Sequence, residues 1–197
     1  MRKIVVSEFV TLDGVMQDPG GVGEIEGGGW NIPYVDEEFG KYKFDELSAS
    51  EALLLGRVTY QGFAAAWPEA SHTETEGEYA NMMNSYPKYV VSTTLKQVEW
   101  NNSHLIKTDV IEEVSKLKQQ SGKDILIFGS GELIQTLMQH DLIDEYRLQV
   151  HPLVLGNGKR LFKDGNSTKL KLVETKPFPS GVILLVYQPD RHKKNDI

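Results

Sequence analysis

Apolar residues along this chain come first in short continuous runs and later in alternation. Ile4-Val5-Val6 with Phe9-Val10, Ala52 to Leu55, Tyr89-Val90-Val91 after Pro87-Lys88, Leu105-Ile106 and Ile125 to Phe128 have the length and composition of strands buried on both faces. Helical spacing fills the gaps between them. Asp36 stands as an N-cap before Glu37 and Glu38, with Phe39, Tyr42 and Leu47 as apolar positions. Arg57 to Tyr60 opens a short helix reaching Ala64 to Ala66, Trp67 to Gly77 reads as polar loop, and Tyr79 to Tyr86 reads as helix. Asp109 caps a helix in which Val110, Val114 and Leu117 share a face and Glu112 pairs with Lys116 at i,i+4. Leu133, Ile134, Leu137 and Met138 form one stripe of a further helix that ends near Asp141. Beyond it, Tyr146, Leu148 and Val150 alternate with Glu145, Arg147 and Gln149, the signature of a strand with one wet face. Leu170 and Leu172 alternate similarly, and Val182 to Tyr187 is a last apolar strand.

Strand and helix alternate for two thirds of the chain, and strands without helices follow. That order predicts an α/β fold of three layers, α/β/α, around a mostly parallel central sheet with antiparallel strands at the C-terminal edge. One domain over residues 1–190 is expected, with 191–197 a frayed tail. In such a sheet the ligand crevice lies outside the carboxyl ends of the parallel strands.

Three turns fall at those ends. Phe128 runs into Gly129-Ser130-Gly131 and a helix start, where close backbone approach and the positive end of the dipole suit an anion. Leu55 runs into Gly56-Arg57-Val58-Thr59, a glycine followed by a cation and a hydroxyl, and Val91 runs into Ser92-Thr93-Thr94. Each alone fits ordinary capping; their convergence on one edge points to a phosphate-rich dinucleotide. Upstream, Gly20, Gly21, Gly23, Gly27, Gly28 and Gly29 crowd a loop that suits either a lid over a site or a plain surface connection.

Charge and composition remove alternatives. A formal charge of −7 disfavours general nucleic-acid binding, and the absence of cysteine excludes disulfides and thiolate chemistry. No apolar run approaches a membrane span, so a cytoplasmic protein is expected. The five histidines show no ligand spacing, so no metal site is expected.

Thr11 to Gly14, Leu54 to Tyr60, Val90 to Thr93, Ile127 to Leu133 and Leu142 to Gly156 together resemble the dihydrofolate reductase fold. More closely they resemble the RibD C-terminal domain family, the reductase half of the riboflavin-biosynthesis deaminase/reductase. The resemblance covers nearly the whole chain. It implies NADPH, with Gly56, Arg57 and Thr59 at phosphate groups, Ser92 and Thr93 near the adenosine 2′-phosphate, Gly129, Ser130, Gly131, Glu132 and Leu133 along the pyrophosphate, and Asp13 and Gly14 beside the nicotinamide. It also implies a homodimer and a pteridine- or pyrimidine-like substrate, the family activity being reduction of a ribosylaminopyrimidine.

Two departures bear on that substrate. Trp30 to Pro33 looks like the stretch before the substrate-binding acid of dihydrofolate reductases, but Val35 holds the acid's place; Asp36 is the candidate catalytic proton-relay or pterin-anchoring acid in its stead, with Trp30 beside the substrate, and the helix N-cap is the competing role. Phe128 stands where riboflavin-pathway reductases carry a glutamate. Two functions are therefore carried forward, a hydride-transferring reductase and a nucleotide-binding module that has kept the cofactor cradle without catalysis.

Overall fold

The computed structural model describes residues 1–70 and 77–191; the expected loop at 71–76 and the tail from 192 lie outside the described residues. Eight strands form one sheet: β1 (Ile4–Thr11), β2 (Ser50–Gly56), β3 (Lys88–Val91), β4 (Ser103–Ile106), β5 (Asp124–Phe128), β6 (Glu145–His151), β7 (Leu170–Pro177) and β8 (Ile183–Pro189). Their order is β4-β3-β2-β5-β1-β6-β8-β7. The first six are mutually parallel, and β8 and β7 are added antiparallel.

Alternation along the central strands feeds two cores. Ile4, Val6, Leu54, Ile125 and Ile127 pack under α4 (Val110–Gln119) and α5 (Gly131–Gln139) through Val114, Leu117, Leu133, Ile134 and Leu137. Val5, Leu53, Leu55, Val90 and Leu126 face the other way and meet Leu47 of α1 (Glu37–Ser48), Tyr60 of α2 (Arg57–Ala70) and Met83 of α3 (Gly77–Ser85). The three layers are thereby accounted for.

The structure corrects the sequence reading in four places. Helix α2 continues through Trp67, Pro68 and Glu69 to Ala70, because Pro68 falls in the last turns and Asn84 of α3 donates Nδ2 to the Trp67 carbonyl at 2.9 Å. Strand β6 is parallel to β1, and most of its polar positions are closed to water: Glu145, Gln149 and His151 are buried and Arg147 is half-buried. There Arg147 Nε donates to Glu145 at 2.8 Å, and Glu46 of α1 accepts from Ser7 at 2.8 Å and pairs with Lys43. Asp109 heads α4 in the left-handed conformation and makes no side-chain capping bond. Arg191, placed in the frayed tail, is anchored to Asp144 Oδ1 at 3.1 Å.

Candidate functional site

Parallel strands deliver their carboxyl ends to one rim. In sheet order these are Ser92 after β3, Gly56-Arg57 after β2, Gly129-Ser130-Gly131 after β5 and Leu12-Asp13-Gly14 after β1. The three expected turns therefore lie side by side.

A hydrogen-bonded lattice fixes the middle of the rim. Ser130 takes the left-handed conformation (φ 67°) and leaves its hydroxyl free of helix capping. That hydroxyl accepts the Gly56 N–H at 2.8 Å and donates to the Phe128 carbonyl at 3.0 Å. The Ser130 N–H in turn donates to Thr59 Oγ1 at 3.0 Å. Gly129 is required by contact and conformation, since it has φ +56° and a Cβ there would come within 2.6 Å of Thr59 Oγ1, whereas one on Gly131 would press on the Met16 sulfur at 3.0 Å. The turn thus presents bare backbone at the N-terminus of α5, with the dipole directed at the rim. Glu132, the one carboxylate in that first turn, pairs with Lys163, while Leu133 is buried in the core. Arg57 remains exposed, its guanidinium bonding, among the described residues, only along the helix to Gln61 Oε1 at 3.0 Å.

Other predicted residues have structural partners. Ser92 Oγ accepts from the Thr94 and Leu95 amides at 3.2 and 3.0 Å, a turn cap, and Thr93 is exposed beside it. Asp13 accepts from Thr11 Oγ1 at 2.6 Å and from the Leu155 and Gly156 amides at 3.2 and 2.8 Å; the Thr11 hydroxyl foremost holds its carboxyl down at about 2. Gly14 has open space where a side chain would stand. Asp36 caps α1 by accepting from Phe39 N at 2.8 Å, and its second oxygen accepts from Ser180 N at 2.9 Å. Those amides, Phe39 first, lower its pKa. Trp30 is buried, donates to the Gln17 carbonyl at 2.8 Å and packs edge-on against His151 at 5.0 Å.

The glycine-rich loop is wound on a carboxylate. Asp18 accepts from the amides of Val22, Gly23, Glu24 and Ile25 at 2.6 to 3.4 Å. A Cβ on Gly28 would lie 2.1 Å from Asp18 Oδ2, and one on Gly21 would lie 2.9 Å from the Gly29 Cα. The glycines serve tight winding, and the open choice between lid and surface connection gains a physical anchor in Asp18.

Three functional candidates escape sequence reasoning. His151 is fully buried among Phe9, Trp30, Tyr34 and Phe39, with Nε2 2.8 Å from Asn31 Oδ1; burial lowers its pKa. Lys43 stands 4.7 Å from the centre of the Phe128 ring. Glu8 is buried in β1 with Oε1 lacking a hydrogen-bond partner. In the sequence Glu8 shows as a carboxylate interrupting an apolar run and His151 as a strand-end residue before Pro152, and neither pattern marks a site. Among the described residues no group of His, Asp and Glu could hold a metal ion, and no helix is long and apolar enough to cross a membrane.

Comparison with known proteins gives the lineage. The sequence profile of the RibD C-terminal domain matches residues 2–184. The chain belongs to the RibD C-terminal domain family. Within reach of this family, the uncharacterized protein YyaP of Bacillus subtilis is 37% identical over 187 residues, covering 94% of each chain. YwjB of the same organism is 30% identical over 188 residues, 93% of this chain and 96% of that one. Among solved structures, a pyrimidine reductase-like protein of Corynebacterium diphtheriae superposes with TM-score 0.64 at 13% identity, covering 96% and 92% of the two chains. Dihydrofolate reductase of Enterococcus faecalis, complexed with NADP(H), superposes with TM-score 0.60 at 13% identity, covering 95% and 96%. The RibD C-terminal domain of this chain has the dihydrofolate reductase-like fold.

Proposed function

We propose that this chain is an NADPH-dependent oxidoreductase that reduces a flat, nitrogen-rich heterocycle of the pteridine or pyrimidine class. The observation that carries the reading is the braced turn at Gly129 to Gly131, where the Ser130 hydroxyl is turned into the lattice and glycine backbone faces the rim beside the exposed Arg57. The residues present fit the cofactor on those grounds. Gly129 and Ser130 shape the turn, the Gly131 and Glu132 amides at the start of α5 hold the pyrophosphate on the helix dipole, and Arg57 with Thr93 holds the 2′-phosphate, a doubly charged group suited to a guanidinium. NADPH supplies a hydride equivalent when bound. The protein orients that carrier against the substrate, and the Asp18-wound loop with Trp30 helps to exclude water.

Asp36 has both oxygens on backbone amides, which favours its capping role over proton delivery. The same observation, with Phe128 in place of a polar contact, supports a second reading, a cofactor-binding module without turnover. Calorimetric titration with NADPH and NADH tests the cradle, and a screen of oxidised heterocycles followed by loss of reduced-nicotinamide absorbance separates the readings. Binding with turnover supports the reductase, binding without turnover on any heterocycle supports the module, and no heat with either carrier overturns both.

A further inference from the structure

Glu8 is an unusual residue to find where it is. The last pair between β1 and β5 is Ser7 with Phe128, and β1 then runs on to Thr11 while β5 turns away at Gly129. Glu8 is the first residue past that fork. It is 4% exposed, and its Oε1 has no hydrogen-bond partner. Buried oxygens in that condition are rare in folded proteins, since losing water without gaining a donor is costly. An aliphatic residue would have continued the strand's own pattern without that cost.

Its surroundings favour the neutral acid. Burial drives the Glu8 carboxyl well above the usual carboxylate range, against the opposing pull of the Lys43 ammonium and the Gly129 N–H. The charges that act on it are Lys43 and Glu46, both from α1, and these two are paired with each other; from β6, Arg147 reaches Glu46. Lys43 is therefore only a partial counter-ion. A protonated carboxyl offers one donor and one acceptor on adjacent oxygens, the complement of a primary amide.

The rim supplies the ligand's direction. A dinucleotide held at Arg57 beyond β2 and at Gly129 to Gly131 beyond β5 meets β1 next, one strand spacing of about 4.8 Å further along the sheet. Glu8 stands at that junction. Resting on the NADPH reading above, we propose that Glu8 receives the carboxamide of the dihydronicotinamide ring, its O–H donating to the amide oxygen and its Oε1 accepting from the amide nitrogen. Glu8 is then a positioning residue that fixes which face of the ring meets the substrate.

Calorimetry on the full chain tests this with three ligands: NADPH, 2′-phospho-ADP-ribose, which lacks the nicotinamide, and the 3-acetylpyridine analogue of NADPH, which lacks the amide nitrogen. Glu8→Leu is expected to weaken NADPH about 10-fold, as loss of one or two neutral hydrogen bonds implies, and to leave 2′-phospho-ADP-ribose within about twofold. Glu8→Gln keeps a donor and an acceptor and stays within about threefold of the parent. The parent itself binds the acetylpyridine analogue several-fold more weakly than NADPH, a comparison that requires no variant to fold, and Glu8→Leu no longer separates the two. A Glu8→Leu chain that binds NADPH as the parent does, or loses both NADPH and 2′-phospho-ADP-ribose by one factor, overturns the assignment, as does a parent that binds NADPH and its acetylpyridine analogue equally. A parent that binds neither NADPH nor 2′-phospho-ADP-ribose overturns the cofactor reading itself, which is a distinct result.

Discussion

The Ser130 hydroxyl accepts the Gly56 N–H at 2.8 Å and so ties the end of β5 to the end of β2 across 74 residues of chain. Ser130→Ala strands that N–H and frees the turn on one side, while Thr59 still holds the Ser130 amide. Urea unfolding is expected to show a loss of about 1–2 kcal/mol, and NADPH affinity to fall several-fold in titration. Unchanged affinity in a folded variant removes the brace from any account of binding.

Gly129 combines a φ of +56° with a neighbour that leaves no room for a methyl group. Gly129→Ala therefore carries both a left-handed backbone cost of about 1–2 kcal/mol and a clash with Thr59. Adding Thr59→Ala relieves the clash but not the backbone cost, and it also removes the oxygen that accepts the Ser130 N–H. The double variant should regain part of the melting temperature lost in the single one, and neither should recover full NADPH affinity.

Arg57 is exposed and, among the described residues, bonds to Gln61 alone, so its charge is available to a ligand. Arg57→Ala is expected to weaken NADPH by 10-fold or more and NADH by twofold or less. Equal losses with the two carriers would refute a 2′-phosphate role.

Asp36 joins the start of α1 to the turn between β7 and β8 through Phe39 and Ser180. Asp36→Ala should cost about 1–2 kcal/mol in urea unfolding, the usual loss of an N-cap with one further bond. Asp36→Asn keeps most of the cap and should recover much of it. Turnover that collapses in Asp36→Asn at unchanged stability would return the residue to the chemistry.

His151 is held neutral by burial, so its folded pKa lies below the ordinary value of 6.5. The unfolded chain then binds the extra proton first as pH falls. Stability from this group is full above about pH 6.5 and declines as pH drops from there toward the folded pKa. Melting temperatures between pH 7.5 and 5.5 should show that decline, and His151→Phe should flatten it.

Much of the architecture was legible because the central strands are buried on both faces and read as unbroken apolar runs. Strand β6 misled for the opposite reason: Glu145, Arg147 and Gln149 look solvated, but partners from elsewhere in the chain enclose them, Lys3 and Gln188 at Glu145, Glu46 of α1 at Arg147 and Ser7 at Gln149. The stretch from Trp67, polar and carrying Pro68, reads as loop because the partner that satisfies the Trp67 carbonyl in the last turns, Asn84, is supplied by another helix. The glycine turns of the rim were visible as local chemistry. Glu8 and His151 were not, since their character comes from what encloses them, and no periodicity records enclosure.

The winding of residues 18–29 has a consequence for anion selectivity. Four successive amides there are already saturated by a carboxylate of the same chain, so a phosphate arriving at that end of the molecule finds its donors taken. The loop can wall a cleft, but it does not compete with the start of α5, where the Gly131 and Glu132 amides face the rim, for the ligand it helps to shelter.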